Sequence, residues 1–394
     1  MAGHTLLIRA IAAASLVLAG LTGVSSAPSG ASDASAGSAS VAAAARVSNY
    51  PSRPKPTGPP AKVVQLGDSY AAGNGAGAYV ERNCWRSSAN YGAQVAQSLG
   101  AKFLNVACSG ARTADLLHPR ALGAPESKSA TYDIRPVAYL GAQTRWAALA
   151  RAANLCGVPN QADMYYVQSV VGPVSVNGAS VTGTVSCQLW TRAQIDAVNP
   201  STDVVLVTIG GNDVGFSSIV AACILMKSPS GCSGALDQGV ATLPAMAAGV
   251  SAALTAIHER TQGRAQVYLV GYPFLLNTST AVVTDPATGR SYDIGAAMEA
   301  FQLGGEAAQA DAVTVVNAQL GAHVRYVDVK PAWDGHAHGL DIVAPEDNSD
   351  SWIIPVFGTA NPSEWVHPAP AGWRATATAT KTAVRWDAML TAAP

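Results

Sequence analysis

Three polar turns and one distant histidine carry the residue types that nucleophilic chemistry on a carbonyl group requires. Ser69 lies in the segment GDSY, Gly110 in ACSGA and Asn212 in GGND, each after a short apolar run. His367 lies in EWVHPAPAG, just before a predicted C-terminal helix. A serine hydroxyl is a weak nucleophile until a base takes its proton, and histidine has a suitable pKa for that role. The pair predicts Ser69 as nucleophile and His367 as general base and acid.

The same turns hold hydrogen-bond donors for the negative charge that develops on a carbonyl oxygen in such a reaction. We expect the backbone N–H groups of Ser69 and Gly110 and the side-chain amide of Asn212 to form an oxyanion hole. Glycine at position 110 lets the backbone approach the substrate without a Cβ atom in the way. The structural alternatives are that Ser69 caps a helix and that Asn212 only forms a turn. We interpret Asp213 as a brace of its loop.

The elements that must position these residues alternate along the chain. Five apolar, β-branched runs predict strands, and near-continuous apolarity is typical of parallel strands buried on both faces. The runs start at Lys62, Phe103, Val204, Gln266 and Val324. Ala-rich segments predict helices at 88–99, 143–154, 240–261, 294–320 and 371–390. The alternation favours a doubly wound α/β sandwich, in which sites form at the carboxyl ends of the strands.

Three long segments interrupt the alternation within a single domain that we place at 61–394. They lie near 156–200, 277–293 and 333–363, and the first contains VVGPVSVNGASVTGTVSC, which predicts a β-hairpin. Long connections inside a compact domain are usually functional loops or disordered segments. Since all three are expected near strand ends, we predict that they form walls of a pocket.

The first sixty residues differ in composition from the rest of the chain. Arg9 precedes an apolar run and then small residues, so we interpret 1–36 as a secretion signal and small-residue leader. The run is too short to span a bilayer comfortably, and a retained anchor helix is the alternative. Residues 37–60 end in a proline-rich stretch and are predicted to form a disordered linker. We therefore predict a secreted, extracellular protein.

The charge balance disfavours partners that are recognised mainly through net charge. The 394 residues contain 24 Lys and Arg against 25 Asp and Glu, which gives a formal net charge of −1 at pH 7. A nucleic-acid partner would favour a strongly basic chain, so we predict no nucleic-acid partner. We predict no obligate protein partner either.

Six cysteines follow the predicted signal. An even number permits complete pairing in an oxidising compartment, and we expect neighbours in sequence to pair. The predicted disulfides are Cys84–Cys108, Cys156–Cys187 and Cys223–Cys232. The alternative is a metal site, but the sequence lacks a spacing such as C-x-x-C. The pair His336 and His338 is more typical of solvated or hydrogen-bonded side chains, so we predict no metal and no cofactor.

The segments around the four site residues occur in the order found in the SGNH hydrolases, also called GDSL esterases and lipases. GDSY, NVACSGA, TIGGND and EWVHPAPAG match that pattern at Ser69, Gly110, Asn212 and His367. The chain resembles this family from Ala61 to its end. It is most similar to the secreted actinobacterial esterase-lipase branch, in which cysteines lie at similar positions. Four motifs in order are far more specific than one.

The resemblance implies a flavodoxin-like, three-layer α/β/α fold around a mainly parallel five-stranded sheet. It also implies catalysis through an acyl-enzyme on Ser69, with His367 acting first as base and then as acid. Ser69, Gly110 and Asn212 would form the oxyanion hole, and no cofactor would be needed.

The third member of the catalytic group departs from the family pattern. The family usually has an aspartate three residues before the histidine, and here that position is Glu364. Some relatives instead orient the histidine through a main-chain carbonyl, often next to a tryptophan, and Trp365 follows Glu364 here. We expect Glu364 to orient His367 by its carboxylate or by its main chain, and we favour the carboxylate.

The sequence therefore predicts a serine esterase or lipase that acts on carboxylic esters. The substrates would be lipid, phospholipid or short acyl esters, with transient contact to a lipid interface. Two alternatives stay open, a polysaccharide O-acetylesterase with the same machinery and a non-catalytic binding protein on the same scaffold.

Overall fold

The computed structural model of the protein describes residues 62–135 and 141–391. The predicted signal and leader at 1–36 and the predicted linker at 37–60 lie outside these described residues. The strands are β1 (Lys62–Gly67), β2 (Tyr79–Glu81), β3 (Arg86–Ser87), β4 (Lys102–Asn105), β5 (Arg120–Asp133), β6 (Met164–Asn177), β7 (Ser180–Thr191), β8 (Val204–Thr208), β9 (Gln266–Val270), β10 (Val282–Thr284), β11 (Ser291–Asp293) and β12 (Val324–Val327).

The helices range from single turns to long core helices. The α-helices are α1 (Ser69–Ala72), α2 (Tyr91–Leu99), α3 (Thr113–Leu117), α4 (Ala142–Ala152), α5 (Phe216–Ile219), α6 (Pro229–Thr261), α7 (Ile294–Leu320) and α8 (Pro370–Thr391). A π-helical turn spans Val220–Leu225, and 3-10 turns span Gln194–Ala197, Lys330–Trp333, Pro345–Asp350 and Pro362–Glu364.

Five strands form one fully parallel sheet in the order β12-β9-β8-β1-β4. They are the five apolar runs that the sequence predicts. The order is the flavodoxin-like winding, whose direction reverses between β1 and β8. Ligands bind in the crevice at this switch point in open sheets of this kind. Because the strands are parallel, Ser69, Gly110 and Asn212 follow strands that end at the same edge.

Two helical layers cover the sheet. On one face, α6 and α7 pack on each other and enclose a core that includes Leu66 and Val205. On the other face, α2 and α8 pack together, and the rings of Tyr91 and Trp373 stack with centroids 6.3 Å apart. The protein therefore has the predicted three-layer α/β/α architecture.

Helix α6 is long and apolar enough in composition to cross a bilayer. However, Met246, Val250 and Leu254 on this helix are buried in the core shared with α7 and the sheet, so we interpret it as a core helix. It begins at Pro229, earlier than the predicted start at 240. The side chain of Ser228 caps it by accepting from the N–H of Gly231, and proline suits a first turn.

Residues 120–191 contain a separate antiparallel sheet, β5-β7-β6, which we call the arm together with α4. Strands β6 and β7 form the hairpin that the sequence predicts. The sequence does not predict β5, because its residues RALGAPESKSATYD are mostly polar and include a proline. A register shift between Leu122 and Glu126 interrupts its pairing with β7 around that proline, as a β-bulge does.

The arm has a small core of its own. Trp146 of α4 is fully buried with Val181 and Val185, and its Nε1 donates to the carbonyl of Ala130 at 3.0 Å. The Cys156–Cys187 disulfide lies in this core. The other disulfides are Cys84–Cys108, next to the Gly110 turn, and Cys223–Cys232, which joins the π-helical turn to α6. All three join neighbours in sequence.

The other two interruptions of the strand and helix alternation contain short elements. Strands β10 and β11 pair as a hairpin within 277–293. Within 333–363, His338 stacks on Trp352 with centroids 3.6 Å apart. His336 stacks on Phe274 at 3.9 Å and its Nδ1 contacts the carbonyl of Leu276. Both histidines pack on aromatic rings.

The carboxyl end of β1 is held by a concentration of buried hydrogen bonds. Gly67 donates its N–H to Gln194 Oε1 at 2.6 Å, and Gln194 Nε2 donates to the Gly67 carbonyl at 2.9 Å. The N–H of Cys108 also donates to that carbonyl, and the N–H of Asp68 donates to the Thr208 carbonyl. Gly67 has a φ of +131°, and a Cβ there would lie 2.1 Å from the Thr208 oxygen. Only glycine permits this approach.

We expect Gly67→Ala to destabilise the protein by about 3 kcal/mol or more, because the new methyl collides with backbone at a φ that alanine avoids. Gly100→Ala is the control, since Gly100 also has a positive φ of +64° but a Cβ there has no described heavy atom within 4 Å. It should cost about 1 kcal/mol. Denaturant unfolding of both variants measures the difference, and equal losses would contradict the role of the close contact.

Candidate active site

Ser69 is the first residue of α1, directly after the fixed end of β1. It is 7% exposed and faces a pocket. The cap of this helix is Asp68, whose Oδ1 accepts from the N–H of Tyr70 at 2.9 Å. The capping role considered for Ser69 therefore belongs to its neighbour, and the Ser69 hydroxyl is not needed to begin the helix.

Asp68 is also buried and joins two further parts of the site. Tyr272, which follows β9, donates its hydroxyl to Asp68 Oδ2 at 2.5 Å. Burial raises the pKa of the Asp68 carboxyl to about 7, against the lowering effect of the hydrogen bonds from Tyr272 and Tyr70. This carboxyl is a structural acceptor beneath the nucleophile turn.

The turns after β4 and β8 hold one another. Asn212 Nδ2 donates to the carbonyl of Ala111 at 2.9 Å, which leaves the second amide hydrogen for another acceptor. Asp213 accepts from the N–H and the hydroxyl of Thr113, so it braces its loop as the sequence predicts. Burial raises the pKa of Asp213, although the bonds from Thr113 act in the opposite direction. Gly110 has a φ of +76°.

His367 is 8% exposed and is oriented by a main-chain oxygen. Its Nδ1 lies 2.8 Å from the carbonyl oxygen of Trp365. A carbonyl can only accept, so Nδ1 carries the hydrogen and Nε2 is left with a lone pair. Nε2 is buried and has no hydrogen-bond partner among the described residues. The ring packs beside Tyr70, the residue after Ser69, with centroids 5.1 Å apart.

Burial sets the protonation of this histidine. Desolvation lowers the pKa of His367 to about 4, although the Trp365 carbonyl and the nearby charge of Glu364 both favour the protonated ring. The imidazole is therefore neutral at pH 7, which is the state a general base requires.

Glu364 does not contact the histidine ring, contrary to the carboxylate role that we favoured. Its Oε1 accepts the hydroxyl of Tyr79 at 2.6 Å. Its carbonyl accepts the backbone N–H of His367 at 3.3 Å, so its main chain shapes the turn but the ring partner is Trp365. The physical reason is Val366, whose φ of +57° turns the Trp365 carbonyl toward the ring.

Several residues that hold the site are not among the predicted ones. Asn74 Nδ2 donates to the Ser109 hydroxyl at 3.1 Å and to the Ser363 carbonyl at 2.7 Å, which ties the nucleophile loop to the histidine segment. Tyr272 follows a strand that ends at the site edge, so its position was a usable signal. Gln194 gives no such signal, because it lies in a connection far from Gly67 in sequence.

An apolar pocket opens beside Ser69 and Asn212. Its empty volume is about 840 Å³ with its open mouth included, within the range of small-molecule sites. Its lining reaches from the end of β1 to Tyr326 on β12, three strand spacings away, or roughly 14 Å. The apolar lining residues are Val214, Phe216, Ile219, Leu243, Met246, Leu275, Met298 and Phe301. Gln302, Glu306, Gln309 and Lys330 form a polar part of the wall.

The sequence as a whole matches a known family. The model of the GDSL-like lipase/acylhydrolase family matches residues 63–380. The chain belongs to this family. Membership places the GDSL protein among the carboxylic ester hydrolases, as the four motifs predict.

Two lipases illustrate the relationship. The GDSL protein is 28% identical to a lipase of Streptomyces rimosus over 228 residues, which are 56% of each chain. It is 26% identical to Lipase 2 of Streptomyces coelicolor over 331 residues, 80% of this chain and 83% of that protein. The crystal structure of the extracellular lipase from Streptomyces rimosus matches with a TM-score of 0.51 at 23% identity, over 82% of this chain and 99% of that chain. This last similarity concerns the fold.

We expect Glu364→Gln to lower kcat for ester hydrolysis by less than about tenfold, because the histidine ring is held by a backbone oxygen that the substitution leaves in place. A carboxylate that orients a catalytic histidine is worth on the order of 10⁴ in kcat. Steady-state kinetics of the variant beside His367→Ala measures the effect. A loss of a thousandfold or more would show that the carboxylate itself orients the ring.

Proposed function

We propose that the protein is a secreted serine esterase or lipase that hydrolyses carboxylic esters through an acyl-enzyme on Ser69. The observation that carries the proposal is the state of His367. Its Nδ1 is committed to the Trp365 carbonyl and its Nε2 lone pair is unpaired, while the ring packs beside the residue that follows Ser69.

The proposed reaction has two steps of the same kind. His367 Nε2 takes the proton of the Ser69 hydroxyl as Oγ bonds to the ester carbonyl carbon. The tetrahedral intermediate collapses when the alcohol leaves with that proton, and the acyl group remains on Ser69. A water molecule then gives its proton to His367 and attacks the acyl carbon, and the carboxylic acid leaves as Ser69 regains its proton.

The negative oxygen of each intermediate would be held by three donors. These are the N–H groups of Ser69 and Gly110 and the amide hydrogen of Asn212 that Ala111 does not use. Losing one such donor typically costs 10²–10³ in kcat, so the positions of these loops matter as much as the nucleophile. The Trp365 carbonyl and the Glu364 charge would stabilise the imidazolium that forms meanwhile.

The pocket favours an acyl chain over an acetyl group. Its walls are mainly apolar and extend well past Ser69, whereas an acetyl group would fill only the part next to the nucleophile. We therefore place lipid-like acyl esters ahead of the acetylated polysaccharides of the alternative reading. Secretion is supported by the predicted signal at 1–36 and by three disulfides, which are typical of oxidising compartments.

We expect Ser69→Ala to lower kcat on p-nitrophenyl esters on the order of 10⁶-fold, as loss of the nucleophile does in serine hydrolases. Ser109→Ala, in the neighbouring turn, is the matched control and should keep kcat within about tenfold. Spectrophotometric assays from acetate to palmitate measure both. Equal activity of wild type and Ser69→Ala would refute the site, and a folded wild type inert on every ester would favour the binding-protein alternative.

Gly305 and Gly304 of α7 allow a test of the acyl pocket. Gly305 lines the pocket and Gly304 is not among the lining residues, yet a Cβ at either would meet only Leu243, at 3.8 and 3.6 Å. Gly305→Leu should lower kcat/KM for octanoyl and longer esters roughly tenfold or more relative to butyryl esters, because it fills the pocket. Gly304→Leu should leave the chain-length profile unchanged. Identical profiles for both variants would place the acyl chain elsewhere.

A further inference from the structure

The segment that carries His367 has a backbone conformation that it does not favour by itself. Val366 is fully buried and has a φ of +57°, in the left-handed region that β-branched residues avoid. Such a conformation persists only where the surrounding structure over-determines it. The orientation of the Trp365 carbonyl, and with it the His367 ring, therefore depends on whatever holds Val366.

Tyr70 provides that contact. Its hydroxyl donates to the carbonyl of Val366 at 2.5 Å, between residues 296 apart in sequence. Its ring is 5% exposed and packs beside the His367 ring. Because Tyr70 directly follows Ser69, one side chain joins the nucleophile turn to the histidine segment.

Tyr272 makes a parallel connection to the third turn. Its hydroxyl accepts the N–H of Gly211 at 3.1 Å and donates to Asp68 Oδ2 at 2.5 Å. Gly211 immediately precedes Asn212, and Asp68 immediately precedes Ser69. Burial and the Asp68 charge raise the pKa of Tyr272 well above its ordinary value, so its hydroxyl keeps the proton that it donates.

The two tyrosines also contact each other. Their rings meet edge to face with centroids 5.3 Å apart, and the Tyr70 ring meets Phe216 at 6.1 Å. The result is one packed aromatic group, with one hydroxyl directed to the histidine segment and the other to the Asn212 turn.

We propose that Tyr70 and Tyr272 are positioning residues, which fix His367 and Asn212 respectively relative to Ser69. This inference rests on the proposed function. It assigns each hydroxyl to a different catalytic group, so the two tyrosines should fail in different ways when their hydroxyls are removed.

The test begins with Tyr70→Phe and Tyr272→Phe, which keep the rings. Each should lower kcat about 10- to 100-fold with KM changed less than about threefold, because small displacements of catalytic groups cost rate rather than binding. Tyr268→Phe is the control. Tyr268 is a buried tyrosine whose hydroxyl binds Gln266 in the sheet, so the variant should lose stability but keep kcat. Folded fractions measured by thermal unfolding correct each rate.

Double-mutant cycles then separate positioning from general damage. In a His367→Ala background, Tyr70→Phe should lower the residual rate less than about twofold, while Tyr272→Phe should still lower it about tenfold or more. In an Asn212→Ala background the two effects should exchange. Full, additive losses in both backgrounds would overturn the proposal, as would single variants that keep the wild-type kcat.

A donor-retaining variant keeps the proposal falsifiable should Tyr70→Phe fail to fold. Tyr70→4-aminophenylalanine retains an N–H that can donate to the Val366 carbonyl, so its kcat should stay within about threefold of wild type. A folded variant of this kind with a tenfold lower kcat would overturn the role of the hydrogen bond. Activity that survives Ser69→Ala would instead refute the proposed function, which distinguishes the two failures.

Discussion

The close approach of Gly67 to Thr208 is the constraint on which the site depends. Strand β1 lies between β4 and β8, so one peptide at its end can reach both neighbouring loops. Gly67 and Asp68 supply backbone groups that bind Cys108 and Thr208, and Gln194 satisfies the rest. A buried peptide group left unpaired costs about 1–3 kcal/mol, so these bonds hold three loops in one arrangement. A side chain at 67 would separate them.

From this fixed edge the site is assembled with little net charge. The His367 ring is neutral, the Asp68 carboxyl binds two donors, and the Glu364 carboxylate is turned to Tyr79. Hydrogen bonds are stronger where water is excluded, which suits donors arranged for a transient oxyanion. The same burial disfavours a charged imidazole, and the Trp365 carbonyl offsets part of that effect.

The sequence predicts those features that are local. Each central strand is a continuous apolar run, and the predicted site residues follow strand ends or precede a helix, where their side-chain types are visible in the sequence. Strand β5 escapes prediction because its polar residues become a strand only by pairing with β7. The Gln194 contact joins residues 127 apart. The partner of the His367 ring is a backbone oxygen, and its direction depends on the φ of Val366 rather than on any side chain.

That backbone oxygen makes the site robust to one kind of genetic change. Any residue at position 365 brings a carbonyl, so no single codon there can delete the group that orients the histidine. Information that other serine hydrolases store in an acidic side chain is stored here in the conformation of the neighbouring residue. Position 364 is therefore released from the ring, and its charge can drift or be engineered to adjust the basicity of the imidazole without dismantling the catalytic pair.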